Sequence, residues 1–244
     1  MNNNSIASSY LAMHVIPSHP MTIRTPIRTK ICGITSIEDA CNVCIAGVDA
    51  LGLVFYAKSP RNVSSKQAVD ICNAIPPFVT TVGLFLDAPA KFVNEILKTV
   101  PLDLLQFHGS ESPEYCASFN RPYIKAIGMK EFLQADDIEA RFKEYADQYP
   151  DAQGFLIDSH GAGKAGGTGE TFNWNKIPQG IDKPIILAGG LNPTNISEAI
   201  QTADPIYGVD LSSGVESAPG IKDKQKIEAL MKNIRMSEVR RVQC

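Results

Sequence analysis

From position 28 onward, short apolar runs ending near glycine or a carboxylate alternate with longer segments of helical period. The unit recurs about every 25 residues, the length of one strand plus one crossover helix. The apolar runs fall at 29–33, 50–55, 79–86, 104–108, 123–128, 155–158, 185–188 and 206–211. They are rich in Val, Ile, Leu and Phe and mostly lack a polar alternate position, the pattern of parallel strands covered on both faces. Between them the spacing predicts helices at 37–46, 65–74, 90–99, 113–119, 131–145, 193–202 and 223–234, with a short turn near 173–177. Eight strands alternating with eight helical segments predict an α/β fold, a single (β/α)8 TIM barrel. An open doubly wound sheet is the competing arrangement. It usually carries a glycine-rich dinucleotide turn after its first strand, and Cys32-Gly33-Ile34-Thr35 is no such turn.

The barrel is expected to span 27–235, followed by a C-terminal tail at 236–244. Residues 1–26 hold Asn2-Asn3-Asn4, several serines and three prolines with no sustained period, and read as a disordered extension. Hydrophobic residues make up 44% and charged residues 20% of the chain, the balance of an ordinary globular protein. A net charge of −3 gives no electrostatic reason to expect nucleic acid or an anionic membrane as a partner. No apolar run approaches a membrane span, and the first twenty residues lack a signal-peptide pattern, so a cytoplasmic location is expected. Six cysteines in 244 residues do not suggest a disulfide framework.

A barrel puts its chemistry at the carboxyl ends of its strands, so polar residues there are the ones to weigh. In Lys30-Ile31-Cys32-Gly33-Ile34-Thr35 a strand stops at glycine and a helix cap follows at Thr35 or Ser36. Lys30 and Cys32 share one face of that strand. The lysine and the helix N-terminus beyond both favour a thiolate, although a free cysteine is more often simply buried. Gly189-Gly190 after the seventh strand and Ser212-Ser213-Gly214 after the eighth lie where such barrels commonly bind phosphate. Glycine lets backbone N–H groups approach an anion, and a short helix after strand eight would aim its positive end there.

His108 and Asp210, ending the fourth and eighth strands, are candidate substrate contacts, and His160 is a further one. The loop 161–169 is glycine-rich but fails P-loop spacing, and reads as an active-site lid. Cys41 and Cys44 have zinc-like spacing, but with Ile37, Ala40 and Ile45 they follow the period of a buried helix face. What remains is a thiol and a carboxyl, Cys32 and Asp158, at the ends of strands one and six. With a phosphate site they suggest proton transfers on a sugar phosphate, one group as base and the other as acid.

Lys30-Ile31-Cys32-Gly33-Ile34-Thr35, Gly52-Leu53-Val54-Phe55 with Ser59-Pro60-Arg61, and Leu105-Gln106-Phe107-His108-Gly109 carry a resemblance when joined by two later stretches. These are Gly166-Gly167-Thr168-Gly169 with Thr171-Phe172-Asn173-Trp174, and Asp210-Leu211-Ser212-Ser213-Gly214-Val215-Glu216. Together they resemble the phosphoribosylanthranilate isomerase family of the tryptophan pathway, from about residue 29 to 234. The resemblance implies a (β/α)8 barrel performing an Amadori rearrangement. It implies Cys32 as general base, Asp158 as general acid, Arg61 facing the anthranilate carboxylate, and phosphate held by the loops at Gly189-Gly190 and Ser212-Ser213-Gly214.

The sister Amadori isomerase of histidine biosynthesis has an aspartate at the position of Cys32. A non-catalytic phosphosugar-binding barrel has no reason to pair a thiol with a carboxyl. The expected ligand is therefore a small phosphoribosyl compound, with no cofactor, no metal, no nucleic acid and no membrane, in a monomer or homodimer. Deleting residues 1–20 should leave stability and turnover unchanged, since no segment there has a face to bury. A large drop in the Tm of the truncated chain would show the opposite.

Overall fold

The computed structural model describes residues 26–158 and 173–243. Most of the extension, His160 and the glycine-rich loop 161–169 lie outside the described residues. The first half of the barrel is β1 (Arg28–Cys32), α1 (Ile37–Ala46), β2 (Ala50–Val54), α2 (Ser65–Ala74), β3 (Thr80–Phe85), α3 (Ala90–Thr99), β4 (Leu104–Phe107) and α4 (Pro113–Ala117). The second is β5 (Tyr123–Gly128), α5 (Met129–Phe132), α6 (Ile138–Asp147), β6 (Phe155–Asp158), a 3-10 turn (Trp174–Lys176), β7 (Ile185–Leu187), α7 (Ile196–Thr202) and β8 (Gly208–Leu211). A second 3-10 turn (Ser213–Val215) leads into a small antiparallel pair, β9 (Glu216–Ala218) and β10 (Ile221–Lys222), and α8 (Lys224–Gln243) closes the chain.

Strands β1 to β8 pair in parallel in chain order, and β8 returns to β1 to close the barrel. Successive side chains on a strand point to opposite faces. The register pairs even with even numbers all the way round: Lys30 with Ala50, Val82 with Leu104, Gln106 with Ile124, Leu156 with Ile186, and Asp210 with Lys30. Even-numbered residues therefore fill the interior, as in the cluster of Ile124, Ala126, Leu156 and Ala188. Odd-numbered residues such as Ile31, Leu53, Phe107 and Ile157 pack outward against helix residues in the larger core.

Helix termini follow local chemistry. Ser36 Oγ accepts the Asp39 N–H at 3.1 Å to start α1, while Thr35 donates to the Gly220 carbonyl at 2.6 Å. The segment expected as one helix at 131–145 is two, because Asp137 caps the Ala140 N–H at 3.0 Å and begins a new helix. The helix expected from 193 starts at Ile196, since Asn192 Oδ1 accepts the N–H groups of Thr194 and Asn195 in the preceding turn.

Helix α8 passes position 235 to Gln243, with Ser237 buried and Glu238 accepting the Ile27 N–H at 2.6 Å. Residues 236–243 of the stretch set apart as a tail thus continue the helix. In α1 the buried stripe is centred on Ala40 and Val43; Ile45 is 79% exposed and Ile37 47%, so they are not core. A helix advances about 100° per residue, which carries Ile45 past the edge of that stripe. Among the described residues no helix is long and apolar enough to cross a membrane.

Candidate active site

At the carboxyl ends of the strands lies a cavity of about 350 Å³. Its wall includes Cys32, Arg61, His108, Asp158, Gly189, Gly190, Asp210, Ser212 and Ser213. Gly214 is not part of this wall, and His160 lies outside the described residues. A Cβ on Gly214 would sit 1.9 Å from the Leu191 carbonyl oxygen. The loops after β7 and β8 are therefore pressed together at a point where only glycine fits.

Parity brings the polar groups inward. Lys30 Nζ donates to Asp210 Oδ1 at 2.9 Å, both side chains being buried. The two residues are register partners on β1 and β8. Burial opposes the charge on Lys30, but Asp210 and the Cys32 sulfur outweigh it and raise the lysine pKa. Cys32 is the register partner of Gly52 on β2. Burial raises its thiol pKa and outweighs the opposing pull of Lys30 and Lys222. The lysine acts in the sense expected from the sequence, and desolvation by burial is the larger effect.

Across the cavity His108 Nε2 lies 3.8 Å from Asp158 Oδ2. Burial is the largest influence on His108 and lowers its pKa, against the opposing pull of Asp158. The Gln106 side-chain amide lies 3.0 Å from His108 Nδ1 and orients the ring, with Nε2 toward Asp158. The loop carrying His108 is anchored from behind by Lys125, buried on the outer face of β5, whose ammonium donates to the Gly109 carbonyl at 2.6 Å and approaches Glu111 at 3.3 Å. Asp87, another strand-end carboxylate, does not line the cavity and instead accepts the Ser110 N–H at 2.7 Å.

Arg61 reaches the cavity as half of a bidentate pair, Nε to Glu216 Oε1 at 2.8 Å and Nη2 to Glu216 Oε2 at 2.7 Å. Its stem crosses Gly33, where a Cβ would sit 2.4 Å from Arg61 Cδ and where φ is +78°. Both facts demand glycine there. Lys222 completes the network, donating to Glu216 Oε1 at 2.7 Å and to the Ser212 carbonyl at 3.3 Å. Glu216 and Lys222 were missed from the sequence. Glu216 stands two residues beyond Gly214 and offered a signal, a carboxylate beside a glycine turn, but nothing local to Lys222 pointed inward.

The glycines of the seventh loop have φ of +85° at Gly189 and +65° at Gly190, and the Gly190 carbonyl is held by Asn195 Nδ2 at 3.0 Å. The Ser212 hydroxyl is buried and has no hydrogen-bond partner among the described residues. The helix expected after strand eight is only the 3-10 turn Ser213–Val215, too short for a substantial dipole. The glycine turns and serine hydroxyls are what remain there as candidate contacts for an anion. A buried thiol, a carboxyl beside an imidazole, and turns of glycine and serine around one cavity suit proton transfer on a small anionic molecule.

A family model described as N-(5'-phosphoribosyl)anthranilate isomerase matches residues 29–233. The chain is 55% identical over 211 residues to the N-(5'-phosphoribosyl)anthranilate isomerase of Pseudomonas fluorescens (strain SBW25), covering 86% of this chain and 97% of that one. It is similar to a crystal structure of phosphoribosyl anthranilate isomerase in complex with reduced 1-(o-carboxyphenylamino)-1-deoxyribulose 5-phosphate. The TM-score is 0.70 at 35% identity, over 86% of this chain and 99% of that one. It is also similar to the structure of monomers generated from the dimeric enzyme of Thermotoga maritima, with a TM-score of 0.70 and 33% identity over the same shares.

The thiol makes a prediction that needs no substrate. Alkylation of Cys32 by iodoacetamide, read on its own peptide by mass spectrometry, should accelerate with pH, because the thiolate is the nucleophile. Its midpoint should lie above that of an ordinary thiol, since burial outweighs Lys30. A midpoint below the ordinary value would mean that the lysine dominates.

Proposed function

The chain belongs to the N-(5'-phosphoribosyl)anthranilate isomerase family, and we infer from this membership how its cavity works. The reaction is the Amadori rearrangement of N-(5-phosphoribosyl)anthranilate to 1-(2-carboxyphenylamino)-1-deoxyribulose 5-phosphate in tryptophan biosynthesis. The observation that carries the site reading is the placement of Cys32 and Asp158 in the walls of one cavity that also holds the two glycine and serine loops.

In this reading the phosphate lies against Gly189, Gly190, Ser212, Ser213 and the turn at Gly214, where the unpartnered Ser212 hydroxyl can donate. Arg61 faces the anthranilate carboxylate, oriented by Glu216 through two of its nitrogens. Asp158 delivers a proton to the furanose ring oxygen as the C1–O bond breaks and the nitrogen lone pair forms a protonated Schiff base. The Cys32 thiolate then removes the C2 proton. The cationic nitrogen takes up the released electron pair, so a thiolate of ordinary basicity suffices. The resulting enolamine becomes the ketone as its C2 hydroxyl loses a proton and C1 gains one. The sequence of steps is redox-neutral and calls for no electron carrier. His108 and Asp210 stand beside the acid and the base respectively, as substrate contacts. The cytoplasm is the compartment we assign to the reaction.

For assembly we favour a homodimer. Phe78 is fully exposed at φ +71° in the loop before β3 and lines a cavity of about 750 Å³ at the amino ends of the strands, with Leu104, Ile124 and Ile186. A second copy of the chain can cover this end, whose lining also carries Arg28, Asp49 and Asp103, and the Thermotoga maritima relative is dimeric. Light scattering should give twice the chain mass, reduced to one chain mass by Phe78→Glu; a wild-type monomer at micromolar concentration would end this reading.

The catalytic assignment is tested by Cys32→Ser and Asp158→Asn. Each should lower turnover by roughly 10²–10⁴-fold or more while product still binds, since each removes one proton-transfer group and little volume. Turnover is followed by the change in anthranilate fluorescence. If either variant keeps more than about a tenth of wild-type kcat, short of the acid–base range, that residue's role is wrong.

A further inference from the structure

We propose that Lys30 is a positioning residue for the reaction, holding a positive charge against the Cys32 sulfur, and that Asp210 fixes it there. The proposal rests on the reading of Cys32 as the base and adds to it a group that favours the charged form of that base.

The geometry comes from the barrel register. Lys30 and Cys32 are two apart on β1 and so point to the same interior face. Gly52 is their neighbour on β2, and a Cβ there would sit 2.8 Å from Cys32 Sγ and 3.1 Å from Lys30 Nζ. The missing side chain leaves the space in which sulfur and ammonium approach each other. On the other side Asp210 Oδ1 accepts from Nζ at 2.9 Å. The ion pair thus presents its positive end to the sulfur.

The other charged groups facing Cys32 are accounted for. Arg61, from the loop after β2, and Lys222, on β10, are both committed to Glu216 at 2.7–2.8 Å. His108 and Asp158 face the sulfur from β4 and β6 across the cavity. A buried lysine that served packing alone would be satisfied by Asp210; this one also flanks the same point above Gly52 as the thiol, which puts ammonium and sulfur within about 6 Å of each other. Removing it should raise the thiol pKa, because an opposite charge at this range shifts a pKa by about 1–3 units.

The test uses Lys30→Met, the double variant Lys30→Met/Asp210→Asn, which leaves no unpaired carboxylate, and Asp210→Asn alone. Cys32 alkylation is measured against pH on its peptide, with kcat and KM across the same range and Tm as the control for folding. Lys30→Met and the double variant should move the alkylation midpoint up by about one unit or more. That equals about ten-fold less thiolate at neutral pH, with kcat of Lys30→Met falling by a similar factor and recovering on the alkaline side while its KM holds. Asp210→Asn keeps the cation and removes the opposing charge, so it should move the midpoint down.

A folded Lys30→Met or double variant with an unmoved midpoint overturns the proposal. If neither folds, an unmoved or raised midpoint in Asp210→Asn does so. Alkylation reports on the thiol whether or not Cys32 is the base. Retention of turnover by Cys32→Ser would therefore overturn the base assignment separately, without touching the Lys30 measurement.

Discussion

Closing eight parallel strands on one another fixes, for every residue of every strand, whether it faces the barrel interior or the helices. The choice has a period of two, and it is coherent here because the register pairs even-numbered residues with even-numbered residues around the whole circuit. A slip of one residue in any strand would exchange its interior and exterior faces. On β1 it would bury Ile31 in the cavity and turn Lys30 and Cys32 toward α1. The site depends on this constraint before it depends on any single contact.

The constraint has an electrostatic cost. The interior carries Lys30, Gln106, Asp158 and Asp210 among apolar neighbours, and none of these is more than 8% exposed. Such groups persist when paired, and removing one partner of a buried pair typically costs about 3–5 kcal/mol. Lys30 and Asp210 meet that requirement across the β1–β8 seam. On the outer face of β5, Lys125 meets it with Glu111 and three carbonyls. The first pair lies beside the Cys32 thiol on the same face of β1. The second holds the His108 loop from behind, so its contribution to chemistry runs through backbone position.

A second network joins loops that the chain keeps far apart. Glu216 binds Arg61 from the β2 loop, Lys222 binds Glu216, and the same ammonium reaches the Ser212 carbonyl. The hairpin of β9 and β10 therefore couples the arginine to the serine loop. Glycine at 33 and at 214 allows both ends of this network to close, one by passing the arginine stem and the other by admitting the Leu191 carbonyl.

The amino-acid sequence by itself determined the barrel, since eight apolar runs with intervening helical segments have few compact solutions. It also determined that Cys32, Arg61, His108, Asp158, Asp210 and the glycine and serine loops are candidates, because each stands at a strand end. Family motifs narrowed these to roles. Only the tertiary structure decided the partners. Glu216 for Arg61, Asp210 for Lys30 and Lys125 for the His108 loop are long-range pairings, from 16 to 180 residues apart in the chain. No local pattern encodes them. It likewise decided the balance at the thiol, because neighbouring charge is visible in a sequence motif while burial is a property of everything packed around it. Helix edges went the same way: Asp137 and Asn192 cap turns whose competing helical period looked continuous, and the orientation of α1 against the barrel left Ile45 in solvent.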